Sequence, residues 1–154
     1  MEETIVFKLN RIIAALVDGL IIFLAFASFF TYPLIEFLLE ANSNGITEST
    51  IVMLILSFVA GLGADIFYLF VTCLIFKGAT LGMKMVHLTF SKNDGTTPKL
   101  ISLFNRAVTI MISIVLSLGL TIIADVVCLL LNEQGKNFHD IYSNMKVVST
   151  EYVY

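Results

Sequence analysis

Three long apolar stretches, Leu9 to Tyr32, Ile51 to Phe76 and Ile101 to Leu131, constrain this chain more than any other feature. Each reaches the roughly 20 helical residues needed to cross a hydrocarbon core. An ordinary soluble domain carries about 25% charged residues, whereas here 14% are charged and 58% hydrophobic. The expected fold is an all-α integral membrane helical bundle with three transmembrane helices, a single domain over residues 1–154 with segments at about 9–32, 51–76 and 101–131.

Charge orients the bundle. Lys8 and Arg11 stand at the first segment, and Lys77, Lys84, Lys92, Lys99 and Arg106 lie between the second and third. The connection from Tyr32 to Thr50 holds Glu36, Glu40 and Glu48 and no basic residue. The positive-inside rule therefore places the N-terminus and the 77–106 loop on the cytoplasmic side of the cell membrane. The net charge of −3 is spread along the chain, which leaves no basic footprint for nucleic acid. Ala25-Phe26-Ala27 mimics a leader cleavage site, but Asp18 inside the apolar run and Glu2 and Glu3 before it argue for a retained anchor. Cys73 and Cys128 lie in apolar stretches without a CxxC, as buried reduced thiols do.

Turn chemistry marks the connections. Pro33 reads as a stop for the first helix, and Ser49 or Thr50 as the N-cap of the second. The inner loop KGATLGMKMVHLTFSKNDGTTPK has a strand-like run, MVHLTF, before an Asn93-Asp94-Gly95 turn, and the tail has another, MKVVSTEYVY. These two form a small cytoplasmic sheet only if both lie on one side of the membrane. Three crossings, the preferred count, put the tail outside. In the alternative, the third stretch is kinked or re-entrant, bending near Ser117-Leu118-Gly119, because its 31 residues are too few for two full crossings.

Each segment carries one carboxylate: Asp18, Asp65 and Asp125. A charge at the bilayer centre costs about 2.5–3.5 kcal/mol on insertion scales, so each requires a reason. Arg11 and Asp18, seven residues apart, share one face of a helix about 10 Å apart in height, with Ala14 between them. Ser57, Gly61 and Asp65 repeat at four on the second segment. Arg106, Thr109, Ser113, Ser117, Thr121, Asp125 and Cys128 wind as a polar stripe along the third. The stripes are expected to face one another, gathering Arg11, Asp18, Asp65, Arg106 and Asp125 in one interior. Such a cluster serves either as structural glue or as an ion or proton path.

His139-Asp140 lies beyond the apolar core and reads as a surface pair tying tail to loop. No nucleophile with a recognisable context and no second ligand at metal spacing accompanies it, so no catalytic residue, metal site or cofactor is expected.

These residues also carry a family likeness. NRIIAALVDGLII resembles the opening helix of the RDD family, membrane proteins named for an arginine and two aspartates. KGATLGMKMVHL is similar to that family's G-x-T-L-G-K-K-type loop, here Gly78, Thr80, Gly82 and Lys84, and FHDIYSNMKVV to its closing H-D…V-V element. Arg11 and Asp18 match the first two letters, and Asp140 the third. Met83 stands where the pattern often has Lys, Ala79 where Gln is common, and Asn144-Met145 where Gly-Thr is usual. The resemblance implies a membrane protein, with sodium/proton antiport proposed for some members.

The expected function is movement of Na+ or H+ through an aspartate-lined interior, in a homo-oligomer because three helices enclose little volume. The alternative is a membrane accessory, scaffold or immunity-type protein that docks a partner protein. In both, the bilayer is the first partner.

Overall fold

The structure is a computed structural model that describes residues 2–43, 45–117, 119–132, 136–143 and 145–150. Two helices, α1 (Glu2–Ser43) and α2 (Glu48–Ile75), form a long hairpin. Both are long and apolar enough to cross a membrane. Pro33 does not end α1, which runs 42 residues with the proline inside it. Apolar side chains continue on both sides of Pro33, and a proline inside a membrane helix is tolerated where neighbouring groups satisfy the freed carbonyl. The N-cap of α2 is Thr47, two or three residues earlier than the sequence suggests; its hydroxyl accepts from the Thr50 amide. Glu40 closes the hairpin tip by accepting from the Thr47 amide at 3.3 Å and from the Thr47 hydroxyl at 3.0 Å.

At the other end of the hairpin the chain turns through Gly78, whose φ of 100° lies in the left-handed region that glycine adopts without strain. A short helix, α3 (Leu81–Met85), is capped by Thr80 and leads into β1 (Leu88–Lys92). The Asn93-Asp94-Gly95 turn forms as expected, with Asp94 accepting from the Thr96 amide at 2.9 Å and Gly95 at φ 84°.

The third apolar stretch takes the bent form. Helices α4 (Leu100–Leu116) and α5 (Leu120–Leu131) meet at 118° across a break that includes Gly119 at φ 86°. Leu118 lies outside the described residues. At 1.5 Å per residue the arms rise about 25 Å and about 18 Å, so α5 is too short to span a core of about 30 Å. The bend is the kinked or re-entrant form open to the third segment, which leaves two spanning helices, or three where the bent pair counts as one broken span. The short helix α6 (Phe138–Tyr142) then leads to β2 (Met145–Ser149).

β2 pairs antiparallel with β1, setting Leu88 opposite Ser149 and Phe90 opposite Val147. Alternation puts Leu88, Phe90, Met145 and Val147 on one buried face. With Ala14 of α1, Cys73 of α2, Ala79, Met83 and Leu103 of α4 they form the main core. A second apolar cluster of Leu69, Ala107 and Met111 holds α2 to α4. The remaining helix surface is aliphatic and aromatic and exposed, including Leu16, Phe23, Phe67 and Leu116, as helices facing acyl chains are.

Candidate functional site

The polar interior begins with α6. Asn137 and Asp140 form a capping box: the Asn137 side chain accepts from the Asp140 amide at 3.0 Å, and the Asp140 carboxylate accepts from the Asn137 amide. That box aims Asp140 between two helices. Its Oδ2 accepts from Arg11 of α1, and its Oδ1 accepts from Arg106 of α4 at 2.6 Å. Asp140 is 0% exposed. Burial pushes its carboxyl up, but Arg106 and Arg11 outweigh burial and hold it below the ordinary carboxylate range. Arg106 is further fixed by the Phe90 ring, 4.2 Å from its guanidinium carbon.

His139 is buried as well, at 3% exposure, so the reading of His139-Asp140 as a surface pair is corrected. The five-residue α6 is tucked against α4, α5 and β2, which a linear reading of an amphipathic tail cannot disclose. His139 Nε2 lies 3.0 Å from Oδ2 of Asp125, linking α6 to α5.

Asp18 is held by a different set. Its carboxylate accepts from the Tyr68 hydroxyl of α2 at 2.8 Å, from the Gly82 amide at 2.9 Å and from the Thr80 hydroxyl. The motif glycine has a steric reason: a Cβ on Gly82 would stand 2.3 Å from the Ala14 carbonyl oxygen. α3 can therefore sit on α1 closely enough to donate to Asp18. Gly78 shapes the turn into this loop, and Lys84 is exposed and joins none of these contacts. Ala79 and Met83, the departures from the family pattern, are buried core residues; Asn144 lies outside the described residues.

The chain belongs to the RDD family. Its family model matches residues 8–144, most of the chain. No curated protein and no solved structure gives a match. Together with two apolar helices of spanning length, this makes it a membrane protein. The family letters read from the sequence fall on two linked clusters, Arg11 with Asp140 and Asp18 with the glycine loop.

Asp65 stands apart from both clusters. It is 2% exposed, and its Oδ1 has no hydrogen-bond partner among the described residues. It lines a cavity of about 710 Å³ between α1, α2, α4 and α5, whose polar end also includes Asp18, Asp125 and His139. The opposite end is walled by Phe26 and Phe58, whose rings pack edge-on at 5.6 Å. Arg11, Asp18, Asp65, Arg106 and Asp125 line this space, whereas Ser57, Thr109, Ser113, Ser117, Thr121 and Cys128 are not among the described residues that line it. The partners of each charge were less visible: Tyr68 and Phe90 carry no motif, whereas the Asn-x-x-Asp spacing of the capping box is a signal available in the sequence.

Proposed function

We propose that this protein moves a cation or a proton across the membrane through the cavity between α1, α2, α4 and α5, with Asp65 as the exchanging carboxylate. The supporting observation is the difference between Asp65 and the other acids of the interior. Asp140 is neutralised by two arginines, Asp18 is saturated by three donors and Asp125 faces His139. A carboxylate buried without a partner needs a counter-charge or a proton, and supplying each in turn is the elementary step of exchange. The N-terminus, the 77–106 loop and the tail sheet face the cytoplasm in this reading, following the distribution of lysine and arginine. A homo-oligomer completes the walls that one copy leaves open.

A second reading is a non-transporting accessory that docks a partner protein. The completeness with which Asp18 and Asp140 are satisfied favours it, since a fully bonded polar cluster is what fixes a scaffold. Purified protein in vesicles carrying an internal pH dye decides between them. A sodium pulse is expected to move protons in the wild type and to move none in Asp65→Asn. An Asp65→Asn variant of full activity, or wild-type vesicles silent both to sodium and to an organic cation, removes the transport reading.

A further inference from the structure

The cavity around Asp65 is unusual for a site that would hold a bare metal ion. Hard cations take about six oxygen ligands. Among the described residues no group of three or more His, Cys, Asp or Glu is placed to hold a metal. The oxygens of Asp18 are already committed to Tyr68, Thr80 and Gly82. Arg11 and Arg106 also line the cavity but are paired with Asp140, and beyond the charged and polar side chains its wall is aliphatic and aromatic, with Leu62 and Leu69 flanking Asp65 along α2.

The cavity also has a polarity gradient. Phe58 lies seven residues before Asp65 on α2, which puts it on nearly the same helix face about 10 Å further from the glycine loop. Between them is Gly61, where the Phe26 ring of α1 approaches so closely that a Cβ would meet it at 2.7 Å. One end of the space therefore presents an unpaired acid and the other presents aromatic rings. Two wall residues, Phe23 and Ile122, are more than half exposed on the helix surfaces that face acyl chains, so the space is continuous with the hydrocarbon layer.

We propose that the cavity binds an amphiphilic organic cation, an ammonium head on Asp65 with its alkyl or aryl stem lying along Phe26 and Phe58, reached from within the bilayer. The complementarity is of both kinds at once. A buried carboxylate gains the counter-charge it lacks, and the apolar wall covers a stem that water would not. This inference names the cation of the exchange proposed above and rests on that reading for its transport part, whereas the binding part stands on the cavity alone.

Two measurements keep the binding and transport claims distinguishable. The protein is reconstituted in nanodiscs and titrated with decyltrimethylammonium, with decanol as the neutral control of the same stem and empty nanodiscs subtracted. Saturable binding of the cation is expected, weakened at least tenfold in Asp65→Asn, restored in Asp65→Glu, and absent for decanol. Binding that is non-saturable, equal for decanol, or unchanged in Asp65→Asn overturns the inference, since it reports partition into the apolar groove alone. In vesicles, a decyltrimethylammonium gradient is expected to drive protons in the opposite direction; this cation carries no proton of its own. Sodium-driven, Asp65-dependent proton flux without amphiphile binding overturns this inference and leaves the proposed function standing. Saturable binding without flux from either cation keeps the site and removes the transport reading.

Discussion

Arg11 and Asp140 are 129 positions apart in the chain and meet as a buried ion pair at the cytoplasm-facing end proposed for the bundle. This contact ties the start of α1 to the short helix α6, and Arg106 joins it from α4, so one carboxylate clamps three elements. Two positive charges against one negative leave the clamp sensitive to the loss of the acid rather than of either base.

Asp140→Asn is therefore expected to destabilise the protein by about 3–5 kcal/mol, the cost of leaving buried charge uncompensated. Arg11→Leu leaves Asp140 with Arg106 and is expected to cost less. Thermal unfolding in detergent ranks the two; an Asp140→Asn variant as stable as the wild type would show that the triad is not holding the tail.

The same carboxylate sets an acid limit. Its folded value is depressed by Arg106 and Arg11 against the opposing effect of burial, so its stabilising contribution is fully present above the unfolded value, about 4 for an aspartate, and is lost as pH falls through the lower folded value. The gap in melting temperature between the wild type and Asp140→Asn is expected to stay constant from pH 7 to about pH 5 and to narrow only below about pH 4. A gap that closes between pH 7 and 6 contradicts this assignment.

Gly82→Ala tests the close approach of α3 to α1. The added methyl group would overlap the Ala14 carbonyl oxygen at 2.3 Å, so α3 must move and the Gly82 amide must leave Asp18. The expected loss is about 1–3 kcal/mol, in the range for overpacking. Thr80→Val, which removes both the α3 cap and a donor to Asp18, is expected to fall in a similar range, about 1–2 kcal/mol. A Gly82→Ala protein that melts with the wild type would mean that this contact is looser than described.

Topology is checked by labelling. With Cys73 and Cys128 replaced by alanine, single cysteines at Asp94 and Thr150 are expected to react with a membrane-impermeant maleimide from the same side, and one at Gly45 from the opposite side. Labelling of Asp94 and Thr150 from opposite sides would be incompatible with the β1–β2 pairing.

Local chemistry made much of this legible. Apolar length showed that the chain belongs in a membrane, because hydrocarbon accepts no unsatisfied backbone and leaves helices as the way across. Periodicity put Arg11, Asp18, Asp65 and Arg106 on inward faces, since a helix repeats its face about every seven residues whatever surrounds it. Strand-like composition located β1 and β2, and the bend near Gly119 was one of two forms open for the third stretch.

Tertiary structure decided the rest. Whether α4 and α5 cross or double back depends on what covers the bend, and that depends on the tail pairing with β1 and on α6 entering the interior, contacts between segments far apart in sequence. Pro33 illustrates the same point in reverse, for a strong local stop signal is overridden inside a continuous 42-residue helix. Most of all, helical spacing makes Asp18, Asp65 and Asp125 look alike, and only the packing of other elements around each gives one three donors, one a histidine and one none. A residue's face follows from its own helix, whereas its partners are set by where the rest of the chain comes to lie.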